Sequence, residues 1–236
     1  MNFDGSIKKF LLVTAGGHGT RMGAALPKQF LELSGKAILQ LTIERFLEAV
    51  PGIRVVTVLP KEFMGEWKEY CSSRNFICPQ ILVEGGLTRF HSVKNALGRI
   101  PDGAIVAVHD GVRPLVSKEL ISEMFSRMDG CRGLIPVFPS TDTLKVLERD
   151  RVSGELKTTE EKVDRSRIWC AQTPQIFWSE DLKRAYSQPY DTSFTDDASV
   201  AQEYKIPLSY IEGERFNIKI TTPEDLALAG MILKLS

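Results

Sequence analysis

Short, unbroken apolar runs recur along this chain, separated by longer amphipathic stretches. That rhythm constrains the fold more than any other feature. Residues 9–13, 54–59, 80–83, 104–108 and 133–137 read as strands, with 54–59 rich in valine. Residues 37–50, 61–74, 88–97 and 119–128 read as helices between them; in the first, Ile38, Leu41, Phe46 and Leu47 are the apolar positions. Thr88 stands near the start of the third helix, and Ser117 is placed to cap the fourth. Strands that lack polar alternation are covered on both faces. Alternating with helices, they predict right-handed βαβ crossovers and a Rossmann-like, mostly parallel sheet with helices on both faces. The whole chain, residues 1–236, reads as one α/β domain.

The rhythm breaks after Pro139. Residues 142–151 and 158–169 are extended, dense in charge and poor in core-forming side chains, and Asp150-Arg151-Val152-Ser153-Gly154 joins them. They predict a projecting β-arm, about residues 140–168. A lone hairpin is marginal, so the arm is expected to pack on a second subunit; a floppy surface insertion is the competing reading. Helical patterning resumes after Trp178. A strand at 208–211 and a segment at 217–221 precede a last helix at 223–235. Thr222 caps it, Pro223 sits in its first turn, and Glu224 and Asp225 lie at its positive end.

Charge and cysteine content exclude several classes. The 30 basic and 30 acidic residues cancel. There is no overall basic field for nucleic acid and no polybasic tail for a membrane, so anion binding must come from local clustering. None of Cys71, Cys78, Cys131 and Cys170 forms a C-x-x-C pair, and the three histidines are scattered. A zinc site is not expected. With no signal peptide and no stretch near the ~20 apolar residues of a membrane span, a reduced, cytoplasmic protein is expected.

The strongest local signal follows the first strand: Ala15-Gly16-Gly17-His18-Gly19-Thr20-Arg21-Met22, then Pro27-Lys28-Gln29-Phe30. Such glycines let backbone N–H groups approach an anion, at the carboxyl end of a strand where open α/β sheets bind ligands. No G-K-[ST] closes the loop, so it is not a P-loop. A cation replaces the third glycine of the dinucleotide fingerprint, so it is not that either. Arg21 and Lys28 suit a triphosphate; a connection bearing two solvated cations is the blander reading.

Further segments carry a resemblance. They are Gly85-Gly86 with Arg89 and Ser92-Val93; Val108-His109-Asp110-Gly111-Val112-Arg113-Pro114; Asp142-Thr143-Leu144-Lys145; Val163-Asp164-Arg165; Gln172-Thr173-Pro174-Gln175; Thr195-Asp196-Asp197-Ala198-Ser199; and Asn217-Ile218-Lys219-Ile220-Thr221. With the first loop, and in this order, the set resembles the 2-C-methyl-D-erythritol 4-phosphate cytidylyltransferases across nearly the whole chain. Thr14, where members often carry proline, and Leu87, where an acid is common, depart from the pattern.

The resemblance implies an enzyme that joins CMP from CTP to a short polyol phosphate with Mg²⁺, releasing pyrophosphate for isoprenoid precursor synthesis. The acceptor's own phosphate is the nucleophile, so the protein need only position and stabilise charge. By resemblance, Arg21 and Lys28 stabilise the α-phosphate and Lys219 lies near it, although Lys219 alone would pass for a surface lysine. Ala15, Gly16, Gly17, Gly19, Gly85, Gly86, Ser92 and Gly111 form the nucleotide site; Ser92 could instead make a local helix hydrogen bond. Asp110 follows a buried strand and is placed to accept from a ribose or polyol hydroxyl, or to meet Mg²⁺, directly or through water. Arg113 is read as a substrate contact, with a structural Asp110–Arg113 pair as the alternative. By resemblance, Thr143 and Arg165 reach the acceptor site of the partner in a homodimer with shared sites, and Thr173 and Thr195 contact the polyol. Asp196 and Asp197 read as caps of the following helix. Two alternatives remain: a D-ribitol 5-phosphate cytidylyltransferase, and a nucleotide-binding module without catalysis.

Overall fold

A computed structural model describes residues 7–16 and 27–235. The first strand, β1 (Lys9–Thr14), is buried through its middle, as an apolar run lacking alternation requires. A small hairpin, β2 (Glu32–Leu33) and β3 (Lys36–Ala37), follows. It escapes the sequence reading because two residues per strand leave no period to detect. Helix α1 (Ile38–Ala49) leads to β4 (Arg54–Leu59), α2 (Met64–Ser73) to β5 (Gln80–Glu84), and α3 (Arg89–Leu97) to β6 (Ile105–Asp110), all six of whose residues are buried. Thr88 caps α3 by accepting from the His91 N–H. Ser117 caps α4 (Lys118–Ser126) through the Leu120 N–H. Each such cap satisfies a helix-end donor and is worth about 1 kcal/mol.

Strands β1, β4, β5 and β6 are parallel, in the spatial order β5-β4-β1-β6. The chain steps outward from β1 to β4 and β5, then returns to the other side of β1 as β6. That reversal is a topological switch point, and the carboxyl ends of β1 and β6 open a crevice there.

Beyond β6 the sheet is mixed. Strand β7 (Gly133–Pro139) runs parallel to the edge strand β12 (Leu208–Glu212). Strands β10 (Trp169–Ala171) and β11 (Gln175–Trp178) lie antiparallel along the other side of β7, and β11 is wedged between β7 and β6. Sequence periodicity misses β11: its four residues run straight into α5 (Ser179–Ala185) without a turn signal. The tight approach depends on Gly133, where a Cβ would meet the Phe177 ring and Leu208 at 2.8 Å. Helix α6 (Asp197–Glu203) opens on a reciprocal capping box between Asp196 and Ser199. Residues 217–221 are not a strand, and α7 (Pro223–Leu235) closes the fold.

Two apolar layers cover the sheet. One face carries Phe46, Trp67, Leu120 and Met124 of α1, α2 and α4; the other carries Phe90, Val93, Leu182 and Val200 of α3, α5 and α6. A smaller cluster, Leu33, Ile38, Val112, Ile220 and Ala229, ties the last segment to the switch point. The arm is a weaker hairpin than its extended segments suggest. Only β8 (Leu147–Arg149) and β9 (Leu156–Thr158) pair, and no residue from 141 to 171 is buried. Among the described residues no helix is long and apolar enough to cross a membrane.

Candidate functional site

Main-chain hydrogen bonds draw four strand ends together. Ala15 N–H donates to the Val58 carbonyl, Gly85 N–H to that of Leu59, and Gly111 N–H to that of Thr14. Around them lies a cavity of about 280 Å³ whose walls include Ala15, Gly16, Lys28, Gly86, Leu87, Arg89, Ser92, Asp110 and Lys219. The Gly86 N–H donates to the Ser92 hydroxyl at 3.0 Å, which folds the second loop onto α3. Only glycine fits at 86, since a Cβ would lie 2.4 Å from that of His91. Gln29, almost fully buried, donates to the Ala15 carbonyl at 2.8 Å and so fixes its neighbour Lys28 beside the end of β1.

The electrostatic centre is Asp110. Its Oδ2 lies 3.2 Å from Arg113 Nε and 3.1 Å from Lys219 Nζ, and its Oδ1 lies 3.8 Å from Arg89 Nε. Burial would raise this carboxyl, but the charges of Arg89, Lys219 and Arg113 outweigh it and hold Asp110 well below the usual carboxylate range. Lys219 reaches Asp110 because the segment bearing it is pinned on both sides. Arg113 Nη1 donates to the Asn217 carbonyl at 2.7 Å, and Ile220 N–H to that of Val112 at 2.9 Å.

Arg89 is itself anchored from behind. Its guanidinium makes two hydrogen bonds, 3.0 and 2.6 Å, to the carboxylate of Asp197, which has no solvent exposure. Tyr186 Oη donates to the same carboxylate at 2.6 Å. Burial lowers the guanidinium's proton affinity, but Asp197 more than reverses this, so Arg89 stays charged.

Of the expected residues, Ala15, Gly16, Lys28, Gly86, Ser92, Asp110 and Lys219 share this cavity, with Gly85 and Gly111 bonded just behind its walls. Gly17, Gly19 and Arg21 lie outside the described residues. Arg113 and Thr173, expected as substrate contacts, lie next to Asp110. Neither lines the cavity: Arg113 is the structural partner of Asp110, and Thr173 is 4% exposed, its hydroxyl held between the Asp110 N–H and His109. Thr143, Arg165 and Thr195 are exposed and do not line it either. Asp196 caps α6, whereas Asp197 pairs with Arg89.

Sequence reasoning gives no role to Arg89, Gln29 or His109, and reads Asp197 only as a helix cap. Arg89 stands beside the paired glycines, and that spacing is the available signal. For Asp197, its position at a helix start hides an ion pair formed across 108 residues. A second cavity, about 660 Å³ near Trp169 and Tyr210, shares no lining residue with the first.

Asp110 does not fit a direct magnesium ligand. It is the one carboxylate on the cavity wall among the described residues, and three cations already crowd it. No cluster of metal-binding side chains occurs among those residues.

An anion-binding crevice at the switch point of a mostly parallel sheet, walled by lysine and arginine, is the architecture of a nucleotidyltransferase. The chain matches IspD: 2-C-methyl-D-erythritol 4-phosphate cytidylyltransferase over residues 10–235. It is 46% identical over 227 residues to the 2-C-methyl-D-erythritol 4-phosphate cytidylyltransferase of Porphyromonas gingivalis, covering 96% of this chain and 98% of that protein. To the Bacteroides fragilis enzyme of the same name it is 42% identical over 222 residues, covering 94% and 98%. The crystal structure of the Thermus thermophilus enzyme superposes with a TM-score of 0.74 at 28% identity, over 97% of this chain and 100% of that one. A 4-diphosphocytidyl-2C-methyl-D-erythritol synthase from Anaerococcus prevotii shares the fold, with a TM-score of 0.77 at 24% identity over 97% and 99%. The chain belongs to the 2-C-methyl-D-erythritol 4-phosphate cytidylyltransferase family.

Proposed function

We propose that this chain transfers CMP from CTP to 2-C-methyl-D-erythritol 4-phosphate and releases pyrophosphate, acting in the cytoplasm as a one-domain subunit of a homodimer. The observation that carries the reading is the set of cations, Lys28, Arg89 and Lys219, that shares one cavity with Asp110. An oxygen of the acceptor's phosphate attacks the α-phosphorus of CTP. The α–β bridging bond breaks, and its electron pair leaves with pyrophosphate. The nucleophile is already an anion, so no general base is needed.

Lys28 and Lys219, with Arg21 by family resemblance, hold the charge that builds at the α-phosphate. Loss of one such preorganised donor costs roughly 10²–10³ in rate. Mg²⁺ enters as part of the nucleotide substrate, held by phosphate oxygens and water. Ser92 accepts from Gly86 and so keeps its own hydroxyl proton to give to cytosine, beside the backbone of Ala15, Gly16, Gly85 and Gly86. Asp110, across the same cavity, accepts from a ribose hydroxyl. Thr195 meets the polyol.

Thr143 and Arg165 serve the partner's acceptor site. In support, both are exposed, and the arm that carries them displays Leu144, Leu147, Val152 and Leu156 to solvent. Pairing with a second copy would cover that apolar surface.

Pyrophosphate release by the purified protein, with Mg²⁺ and each nucleotide and acceptor in turn, tests the reading. CTP with 2-C-methyl-D-erythritol 4-phosphate should turn over fastest. UTP places an acceptor where cytosine has an amino donor, leaving a buried group unpaired. Equal turnover of UTP overturns the base reading; equal turnover of D-ribitol 5-phosphate overturns the acceptor assignment.

A further inference from the structure

We propose that His109 is a positioning residue, which acts through the Thr173 hydroxyl to fix the main chain at Asp110 and so aim its carboxylate. His109 and Asp110 are neighbours on β6, so their side chains leave opposite faces of the sheet. Asp110 faces the cavity; His109 is 0% exposed and packs against Phe46, with ring centroids 4.9 Å apart. Nothing in the proposed chemistry uses this imidazole.

Its hydrogen bonds have a single consistent direction. Nε2 lies 3.1 Å from the Arg113 carbonyl. A carbonyl only accepts, so Nε2 carries the proton. A neutral imidazole has one N–H, which makes Nδ1 an acceptor. Nδ1 lies 3.0 Å from Thr173 Oγ1, so the threonine hydroxyl donates to it. That hydroxyl oxygen accepts from the Asp110 N–H at 3.1 Å. The relay therefore runs from the Asp110 N–H through Thr173 and the ring to the Arg113 carbonyl. It spans the turn that begins with the cavity's carboxylate and ends with its structural partner.

Two further observations explain why the relay sits here. The β6–β11 ladder ends at the Val108–Gln175 pair, because Pro174 has no N–H and the chain turns away. The Thr173 side chain then supplies the acceptor that the next ladder position lacks. Asn217 Nδ2 also donates to the Thr173 carbonyl at 2.8 Å, so the same residue braces the segment bearing Lys219. Burial keeps the ring neutral, pushing His109 down to about 4. The Arg113 carbonyl and Asp110 pull the other way, and the Arg113 and Lys219 charges add to the lowering.

The role in aiming Asp110 rests on the reading that Asp110 holds the ribose of CTP, whereas the relay itself does not. Imidazole ¹⁵N NMR of the unliganded protein at neutral pH should show His109 with Nε2 protonated and Nδ1 bare, assigned by difference from His18→Gln and His91→Gln variants. The opposite tautomer, or a cationic ring, overturns the relay. Thr173→Val keeps the shape and removes the hydroxyl. It should speed amide exchange at Asp110 and raise KM for CTP about tenfold, the effect of one lost buried hydrogen bond, with a much smaller change in kcat. Thr173→Ser should restore both. Unchanged KM and exchange in Thr173→Val, or equal damage in Thr173→Ser, overturns the positioning role. A wild-type protein that turns over no CTP counts against the functional reading alone; the tautomer and the Asp110 exchange still decide the relay.

Discussion

The switch-point end of the sheet and the arm hold charge in opposite ways. At the sheet end, Asp110 and Asp197 are buried; Arg89, Arg113 and Lys219 surround Asp110, and Arg89 pairs with Asp197. On the arm, Asp150 pairs with Lys157 within one exposed hairpin turn and also accepts from the N–H groups of Val152 and Ser153. Both carboxyls are held low, but for different reasons. Asp110 is low because neighbouring charges outweigh its burial. Asp150 is lowered to about 2, first by its hydrogen bond from Lys157 and then by those main-chain donors. Water screens the arm pair more than the sheet-end pairs, whose carboxylates are buried, so the latter bear more on stability.

The largest effect that can break this comparison is Asp197→Ala. It would remove both close hydrogen bonds of the Arg89 guanidinium and leave it only the 3.8 Å approach to Asp110, and should destabilise the fold by about 3–5 kcal/mol. Asp150→Ala should leave the denaturation midpoint unchanged. Equal urea midpoints for the two variants would mean that burial does not separate the regions.

Acid sharpens the contrast. His109 titrates at about 4 when folded, against an ordinary value of 6.5, so the unfolded chain binds the extra proton first. Its contribution is fully present above pH 6.5 and is lost as pH falls through about 4, a change on the order of 3 kcal/mol. Asp110 is depressed as well, so its contribution persists above the ordinary carboxylate range and fades only at still lower pH. Urea midpoints of wild type and His109→Asn at about pH 7, 5 and 4 should converge as pH falls. A flat wild-type profile would contradict the burial argument.

The smallest effect tests whether the two regions meet across a dimer. Lys28→Ala and Arg165→Ala should each be nearly inactive. After subunit exchange, half the molecules are heterodimers with one repaired site in two. Roughly a quarter of native activity should then return in a symmetric dimer. No recovery after verified exchange would leave the arm without a catalytic part.

Much of the site was legible because its residues follow strands whose ends were legible. Asp110 comes just after a buried apolar run, Gly85-Gly86 after another, and Lys28 closes the glycine-rich loop that follows a third. Arg89 and Asp197 were not legible as a pair. Each has a sufficient local explanation, a loop cation and a helix cap, and only folding brings them together. Thr173 reads as a substrate contact because its segment matches the family; that match carries no information about which face of the chain points inward.

The sequence by itself determined the βα rhythm, the helix cap at Ser117, the cation-bearing loop and the exposed character of the arm. Each of these depends on side-chain period or local hydrogen bonding, which neighbouring residues settle. Only the tertiary structure decided that β11 inserts antiparallel between β6 and β7, that Arg113 and Thr173 lie beneath the cavity, and that Lys219 returns from the far end of the chain to Asp110. Those outcomes come from pairing across long stretches of chain. Burial there favours partners for buried polar groups, and the partner's position in sequence is irrelevant.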